Sequence, residues 1–514
     1  MNTLSRGAHA PSRVSVGASP TELLSDRNTY GRQPQGQACG EAPQAAREAR
    51  ALPWTRGSCA LAALILATVC QVLCNAAAQA AEGRLPNVVL IVVDDLGWAD
   101  LGCYGSTFHE TPNIDRLARE GVRFTQAYSA CTVCSPTRAS ILTGKYPARL
   151  HITDWIPGHK RPEAKLRVPA WTQHLPTDEW NLAKALKSAG YATVSIGKWH
   201  LGGSGFYPEK QGFDANIGGT DRGQPPSYVS PYKIPTLTDG PPGEFLTDRE
   251  AAEACRFIEA NRERPFFIYL PHYAVHQPIA GKPEVVAKYR AKADPQAPQH
   301  NATYAALLES VDDALGRIRA KLDELKLSDR TIIVFTSDNG GLILGGKNAP
   351  TSNAPLRSGK GSPYEGGVRV PLIVHWPGRG KAGIACEIPA MSIDLYPTIL
   401  EMTGARNPAD HKPDGRSLVP LLSSASVLGR DALHWHYPHY HPGGATPYGA
   451  IRRGDFKLIE FFENGRLELF DLKSDPSEQQ DMAAAHPETA QRLQNQLAAW
   501  RKEVGAQMPA PNPN

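Results

Sequence analysis

The heptapeptide Asn87-Val88-Val89-Leu90-Ile91-Val92-Val93 runs directly into the acidic pair Asp94-Asp95. A continuous apolar, β-branched run of this length is typical of a strand that is buried on both faces, as in a parallel sheet. Three similar runs follow along the chain, with helical stretches such as 180–189, 248–261 and 304–325 between them. This alternation predicts an α/β fold with a large mixed, mostly parallel sheet sandwiched by helices.

Polar and ionisable residues follow each of the four predicted strands. The other three strands are predicted at 191–196, 265–270 and 331–336. The residues that follow the four strands, in chain order, are Asp94 and Asp95, Lys198 and His200, His272 and His276, and Asp338 and Asn339. Ligands of open parallel sheets bind at the carboxyl ends of the strands. We therefore expect these side chains to meet along one edge of the sheet.

Four of these residues carry oxygen donors: Asp94, Asp95, Asp338 and Asn339. Either pair alone is compatible with an ordinary turn or a helix cap. Adjacent carboxylates at buried strand ends repel each other, however, unless a cation joins them. Hard divalent ions such as Ca²⁺ or Mg²⁺ prefer such ligands, so the sequence predicts a divalent-cation site.

The run Cys134-Ser135-Pro136-Thr137-Arg138 precedes an apolar helical stretch at 139–145. Proline suits the first turn of a helix, which puts Cys134 at the helix N-terminus, where backbone N–H groups favour an anion. Arg138 lies four residues on, shares a helix face with Cys134 and can bind the same anion. Considered alone, the run is equally compatible with an ordinary buried cysteine on a helix.

The pattern Cys-x-Pro-x-Arg resembles the signature of the type I sulfatases of the alkaline phosphatase-like superfamily, in which the cysteine is oxidised to formylglycine. Further matches occur in family order between about Pro86 and Met482. They are Gly-Lys-Trp-His with Lys198 and His200, Ala-Val-His-Gln-Pro with His276, and the segment 357–367 with Lys360. His272 competes with His276, but the proline after His276 fits the family pattern better.

The resemblance implies a set of roles at one site. Asp94, Asp95, Asp338 and Asn339 would bind one Ca²⁺, rather than Mg²⁺, and residue 134 would complete the ligand shell. The hydrated formylglycine at residue 134 would attack sulfur, while Arg138, Lys198 and Lys360 spread the charge of the transferred group. His276, with Lys360, would donate a proton to the leaving oxygen, and His200 would accept the proton whose loss re-forms the aldehyde. A formylglycine-generating enzyme is the implied maturation partner.

The resulting expectation is an arylsulfatase-like sulfuric ester hydrolase that acts on a sulfated carbohydrate, with an aryl sulfate as surrogate substrate. Two alternatives stay open: a phosphodiesterase or phosphonate hydrolase of the same superfamily, and an unmodified, inactive relative that only binds sulfated glycans. Asp154 and Trp155 are candidates for the pocket wall, although a packed loop explains them equally well. His436 belongs to a His-rich segment, 434–441, that we expect to be a loop lining a sugar pocket, because its spacing is not a zinc pattern.

The N-terminal region suggests export. Residues 1–54 are polar and suggest a disordered leader or a wrongly assigned start, whereas 55–80 combine Arg56, an apolar run and Ala78-Gln79-Ala80, as a signal peptide does. A membrane anchor is the alternative, but the run is short for a span. We therefore expect a periplasmic or secreted protein without stable membrane association. Five of the nine cysteines remain after cleavage, and this odd number singles out Cys134.

The chain has 514 residues, a formal net charge of +4 and no compact basic stripe, which argues against nucleic-acid binding. We expect the catalytic α/β domain at 81–422. A small C-terminal α+β subdomain at 423–507 is expected to contain an antiparallel sheet with an Asn464-Gly465 hairpin turn, closed by a helix at 487–504. Residues 508–514 are predicted to be a disordered tail.

Overall fold

The computed structural model describes residues 84–346, 349–423 and 427–513. The predicted leader at 1–54 and the signal peptide at 55–80 lie outside this part of the chain. No helix among the described residues is long and apolar enough to cross a membrane. The boundaries proposed between the catalytic domain and the C-terminal subdomain stay predictions.

The strands are β1 (Asn87–Val93), β2 (Val122–Tyr128), β3 (Leu166–Arg167), β4 (Ala192–Ile196), β5 (Ala215–Ile217), β6 (Phe266–Pro271), β7 (Thr331–Ser337), β8 (Arg369–His375), β9 (Ile384–Cys386), β10 (Ala390–Met391), β11 (Leu433–Tyr437), β12 (Tyr448–Arg453), β13 (Phe456–Phe461), β14 (Leu467–Asp471) and β15 (Ala510–Pro511). The α-helices are α1 (Pro112–Glu120), α2 (Cys134–Thr143), α3 (Pro147–Leu150), α4 (Leu182–Ser188), α5 (Leu246–Ala260), α6 (Pro283–Lys292), α7 (Ala302–Glu324), α8 (Glu365–Val368), α9 (Leu395–Thr403), α10 (Val419–Ser423) and α11 (Pro487–Glu503).

The large sheet has the strand order β10-β2-β8-β7-β1-β6-β4-β5, and β9 also pairs with β2. At its centre, β1 runs parallel to both β7 and β6, and β4 runs parallel to β6. Strand β8 is antiparallel to both β7 and β2, which makes the sheet mixed. The predicted large, mostly parallel sheet is thus confirmed.

Helices cover both faces of this sheet, and β1 illustrates why. Val88, Leu90 and Val92 pack in one hydrophobic cluster with residues of α2, α4 and α9. The alternate residues of β1 pack in a second cluster on the other face, with residues of α1, α5 and α7. Because both faces are buried, β1 shows no alternation of polar and apolar residues.

Strands β11 to β14 form a separate antiparallel sheet in chain order, covered by α11, which confirms the predicted small sheet with its helix. Two expectations for this region need correction. The first half of the His-rich segment 434–441 is strand rather than loop, since β11 pairs with β12. The tail at 508–514 was predicted to be disordered, but its described part pairs: Ala510 and Pro511 lie antiparallel to β3.

Candidate active site

Two acidic segments meet at the carboxyl ends of the neighbouring strands β1 and β7. The backbone N–H of Asp95 donates to Oδ1 of Asp338 (3.2 Å), and the amide of Asn339 donates to Oδ1 of Asp95 (2.8 Å). Asp95 has a φ of 62°, a left-handed conformation that Asp tolerates better than most residues. The parallel register of the two strands therefore brings the carboxylates together, as the sequence predicted.

Helix α2 brings Cys134 to the same point. Cys134 is the first residue of the helix, after an extended Val133, and its side chain is buried. Its Sγ and carboxylate oxygens of Asp94, Asp95 and Asp338 all lie within 4.8 Å of one another. These four side chains come from three elements that are far apart in the sequence.

The donor set fits a hard divalent cation. Oδ1 of Asp94 and Oδ1 of Asn339 are buried without a hydrogen-bond partner among the described residues. Such buried oxygens are costly unless something binds them. Burial also raises the pKa of Asp94 to about 7, an effect that Lys198 opposes. Three carboxylates and an amide oxygen without imidazole are the ligands that Ca²⁺ or Mg²⁺ prefers.

Arg138 contacts these carboxylates directly. Its Nη2 lies 2.7 Å from Oδ2 of Asp338 and 3.4 Å from Oδ1 of Asp94, and its Nη1 donates to the carbonyl of Lys198 (3.1 Å). The side chain is fully buried. Its contacts are with two carboxylates of the donor set and with the backbone of Lys198, and its predicted role towards the substrate anion stays a prediction. Arg138 thus holds the carboxylates in position.

The two lysines differ in their access to the cavity. Lys198 is buried, and its Nζ donates to Oδ2 of Asp94 (2.6 Å). Nζ of Lys360 lies 2.7 Å from Oδ1 of Asp95 and 3.4 Å from Sγ of Cys134. Although burial acts to lower the pKa of Lys360, Asp95 raises it above its ordinary value. Lys360 is therefore a protonated cation next to the thiol.

Two histidines face the cavity. Nε2 of His276 lies 3.7 Å from Oδ2 of Asp95, and its Nδ1 lies 2.8 Å from the carbonyl oxygen of Gln277. Burial, followed by the charge of Lys360, lowers the pKa of His276 to about 3. Nε2 of His200 contacts the Ile156 carbonyl, its Nδ1 is buried without a partner among the described residues, and burial lowers its pKa well below 6.5. Both imidazoles are neutral in the substrate-free protein.

The competing histidine has a different environment. His272 is buried, and its Nδ1 lies 2.6 Å from Oε2 of Glu250. It does not line the cavity that contains Cys134. The geometry therefore favours His276 as the active-site histidine. From the sequence, this residue was preferred only because a proline follows it in the family pattern.

A cavity of about 590 Å³ opens onto Cys134. The chemically relevant residues in its wall are Cys134, Trp155, His200, His276, Lys360 and His441. His441 was not singled out as a site residue, although it ends the segment 434–441 that the sequence predicted to line a sugar pocket. Its approach depends on Gly361, where a Cβ atom would overlap the imidazole of His441. The loop that carries Asp221 and Arg222 also lines the cavity and carries no motif that would have identified it.

Two predicted substrate-binding residues lie outside this cavity. Oδ1 of Asp154 accepts a hydrogen bond from the hydroxyl of Tyr437 (2.8 Å), and Asp154 lines a neighbouring cavity instead. His436 is buried in the small sheet, with Nε2 2.8 Å from the carbonyl oxygen of Gln507. The prediction that His436 lines the sugar pocket therefore requires correction, because its position on β11 turns it towards the C-terminal segment.

Cys134 is a poor nucleophile as a plain thiol. Burial raises its pKa to about 12, although Lys198 and Lys360 act in the opposite direction. At neutral pH almost no thiolate is present, and the thiolate is the reactive form. The described cysteines, Cys103, Cys131, Cys134, Cys255 and Cys386, are all unpaired.

Comparison with known proteins identifies relatives over most of the chain. The family model "Sulfatase" matches residues 86–405, and the model "N-sulphoglucosamine sulphohydrolase, C-terminal" matches residues 359–503. A sulfatase from Formosa agariphila is 32% identical over 499 residues, which cover 81% of this chain and 88% of the relative. The N-acetylgalactosamine-6-sulfatase of Homo sapiens is 34% identical over 378 residues, 68% of each chain.

Solved structures agree with these matches. The crystal structure of Ps i-CgsB in complex with k-i-k-neocarrahexaose superimposes with a TM-score of 0.69 at 30% identity, and the match covers 81% of this chain and 93% of that one.

Proposed function

The chain belongs to the sulfatase family of the alkaline phosphatase-like superfamily and hydrolyses sulfate esters. We propose that it is a Ca²⁺-dependent enzyme with a formylglycine at residue 134, and that it acts on a sulfated carbohydrate. The observation that carries the proposal is the convergence of Cys134 with Asp94, Asp95 and Asp338, whose ligand atoms lie within 4.8 Å of one another. The raised pKa of the buried thiol adds support, because it lowers the reactivity of the unmodified residue.

In this proposal Asp94, Asp95, Asp338 and Asn339 hold the cation, and residue 134 completes its ligands. The bound Ca²⁺ and the hydrated aldehyde supply a Lewis acid and an oxygen nucleophile. Arg138 and Lys198, each bonded to carboxylates of this set, keep the ligands in place and add positive charge behind them. A buried cationic background of this kind stabilises negative charge on a transferred sulfuryl group.

The residues in the cavity wall would handle the substrate and its protons. Lys360, next to Cys134, binds a sulfuryl oxygen and is the group that holds a proton in the free enzyme. His276 lies beside it and relays that proton to the leaving oxygen. His200 is a neutral imidazole with a free Nδ1, suited to accept the proton whose loss releases sulfate.

The sugar class of the substrate follows from the relatives and from the cavity. The human relative is named as an N-acetylgalactosamine-6-sulfatase, and the crystal structure of Ps i-CgsB is a complex with k-i-k-neocarrahexaose. A wall that combines Trp155 with imidazoles suits a sugar ring bearing a charged group. Maturation would require a formylglycine-generating enzyme. We further propose that the protein is exported, to the periplasm or beyond, since residues 55–80 have the pattern of a signal peptide.

Mass spectrometry of the tryptic peptide Phe124–Arg138 tests the modification, and this peptide carries its own control. After alkylation, Cys131 should be carbamidomethylated, whereas residue 134 should have lost its sulfur and gained an aldehyde oxygen. Two alkylated cysteines in protein purified from its native source would contradict the proposal. Aldehyde labelling of the intact protein provides a second measurement of the same group.

Turnover separates the sulfatase from the alternative activity. We expect 4-nitrophenyl sulfate to be hydrolysed faster than bis(4-nitrophenyl) phosphate, and Cys134→Ala to abolish turnover while leaving the unfolding midpoint nearly unchanged. Cys131→Ala is the matched control, because this cysteine is also buried and unpaired but is not part of the donor set. Equal loss of activity in both variants, or faster turnover of the phosphodiester, would contradict the proposal.

A further inference from the structure

A second cavity of about 590 Å³ adjoins the active-site cavity and plays no part in the proposed chemistry. Pro157 lines both cavities, so the two lie side by side. The wall of the second cavity contains Lys160, Arg161 and Arg167 together with the aromatic residues Trp171 and Tyr440.

The basic residues of this second cavity are available for a ligand. Lys160 and Arg167 are exposed, and neither forms an ion pair with a described residue. Arg161 pairs with the exposed Glu163 and lies 5.8 Å from the ring of Tyr440. The carboxylate in the wall, Asp154, is buried and accepts a hydrogen bond from Tyr437, so it does not neutralise the exposed cations. The cavity therefore attracts anions.

The aromatic residues give the cavity a flat apolar wall. Trp171 packs edge to face on His439, with ring centroids 5.6 Å apart, and it is only half-buried. The hydroxyl of Tyr440 accepts a hydrogen bond from the backbone N–H of Leu166, which fixes the segment that carries Arg167. A sugar ring can pack on such a surface while its charged substituent reaches the cations.

We propose that this second cavity binds an anionic sugar unit adjacent to the unit whose sulfate is hydrolysed. The substrate is then a sulfated oligo- or polysaccharide with at least one further sulfate or carboxylate, rather than a single sulfated sugar. The choice of a sugar rests on the proposed function. The positive charge and the position of the cavity rest on the structure alone.

Binding measured by calorimetry on the full chain tests the cavity without requiring turnover. The probes are hexasaccharides of four kinds: heparin-derived, carrageenan, oligogalacturonate and maltohexaose. We expect the double variant Lys160→Ala/Arg167→Ala to bind the heparin hexasaccharide about five- to tenfold more weakly than the wild type at low salt. This difference should shrink as the salt concentration rises. The control variant is Arg379→Ala/Lys381→Ala, which removes two exposed positive charges that follow β8. Because β8 runs antiparallel to β7, these residues lie at the end of the sheet opposite to the active site. This variant should bind the probes as the wild type does.

The other probes identify the anion. If the variant loses affinity for the carrageenan probe but not for oligogalacturonate, the cavity recognises sulfate. If it loses affinity for oligogalacturonate alone, the cavity recognises carboxylate. If it loses affinity for both, the cavity accepts either anion. Equal dissociation constants for wild type and the Lys160/Arg167 variant with every anionic probe would overturn the inference, as would binding of maltohexaose as tight as that of the charged probes.

Turnover of 4-nitrophenyl sulfate separates this inference from the proposed function. Its kcat/KM should be unchanged in the Lys160/Arg167 variant, because these residues lie outside the cavity of Cys134. If the wild-type protein does not hydrolyse this ester, the proposed function fails, whereas the binding results still decide whether the second cavity recognises an anionic sugar.

Discussion

Single residues at the site act mainly by balancing buried charge. Asp94, Asp95 and Asp338 are almost completely shielded from solvent, and so are Arg138 and Lys198, whereas Lys360 is partly exposed to the cavity. Burial of one carboxylate without a partner would be strongly unfavourable. The sequence identified which residues meet, because each one follows a strand or begins a helix. It could not show which cation contacts which carboxylate, since those contacts depend on side-chain directions at the crowded sheet edge.

Arg138 provides the first test of this charge balance. We expect Arg138→Met to lower the free energy of unfolding by about 3–5 kcal/mol, because it leaves Asp338 and Asp94 without their guanidinium. Urea denaturation in the presence of EDTA measures the effect. The control Arg116→Met breaks an exposed pair with Glu120 and should cost about 0.5 kcal/mol or less. Similar losses in the two variants would show that Arg138 does not balance the buried carboxylates.

Asn339 tests the cation site at the level of one ligand. Ca²⁺ at a hundred times its dissociation constant should add about 2.7 kcal/mol to the stability of the wild type, and Asn339→Ala should remove most of that increment. Thermal unfolding with and without Ca²⁺ measures it, and Mg²⁺ should give a smaller rise.

The matched control for Asn339 is Asn301→Ala. Asn301 caps helix α7 by accepting hydrogen bonds from the backbone N–H groups of Thr303 and Tyr304. Its removal should lower stability with and without Ca²⁺ by the same amount, about 1 kcal/mol. If Asn339→Ala behaved in this way, or if the wild type did not respond to Ca²⁺, Asn339 would not be a ligand.

At the scale of elements, the strands that were predicted best are those that are completely buried. Strands β1 and β7 start and end within a residue of their predicted limits, because a strand covered on both faces has a uniform apolar composition. Strand β8 was not identified. Its core residues are equally apolar, but its antiparallel direction depends on the long connection from β7, which no local pattern specifies.

The C-terminal tail was also beyond prediction, because its partner is distant in the sequence. Ala510 pairs with Arg167, and the side-chain amide of Asn512 donates to the carbonyls of Pro162 and Ala164. These contacts hold the segment that forms one wall of the second cavity. Composition alone, with prolines and asparagines, gave no indication of them.

Removal of the tail should loosen this wall. In a chain that ends at Met508, we expect trypsin to cleave at Lys160 and Lys165 several times faster than in the full chain, because protease sites become accessible when local contacts are lost. A time course analysed by mass spectrometry measures the rates. A chain that ends at Asn512 keeps β15 and the Asn512 contacts and should resist cleavage as the full chain does. Equal rates in all three chains would contradict a supporting role for the tail.

For the whole molecule, a buried charged cluster links the small antiparallel sheet to the segment that precedes β8. Lys457 of β13 lies 2.9 Å from a carboxylate oxygen of Glu365, at the start of α8, and 2.9 Å from one of Glu478. The backbone N–H of Glu365 donates to the Glu478 carboxylate (2.6 Å). Helix α8 follows the segment that carries Lys360, so the small sheet supports a wall of the active-site cavity.

Arg369 also lies 3.6 Å from Glu365, whereas Lys457 is the one cation that contacts the carboxylate of Glu478 among the described residues, and Glu478 shares it with Glu365. Burial raises the pKa of Glu478 to about 7, with Lys457 opposing this shift and Glu365 adding to it. In the unfolded chain the same group has an ordinary pKa near 4.5. Between these values the folded protein binds a proton that the unfolded chain does not. The contribution of Glu478 therefore favours folding at about pH 5 and is lost as the pH rises through 7.

Replacement of Glu478 by Gln should remove this contribution. We expect the difference in unfolding free energy between Glu478→Gln and the wild type to shift in favour of the variant as the pH rises from about 5 to 8, because the neutral amide keeps the shape of the protonated acid and does not ionise. Urea denaturation of both proteins at each pH in this range gives the difference between their unfolding free energies. The contributions of the other titrating groups are the same in both proteins and cancel in this difference. The control Glu488→Gln changes an acidic residue in the first turn of the exposed face of α11 and should give a flat difference. If the difference for Glu478→Gln also did not change with pH, Glu478 would be ionised throughout this range and Lys457 would compensate both carboxylates. If the difference changed in the opposite direction, the cluster would lower the pKa of Glu478 below its ordinary value.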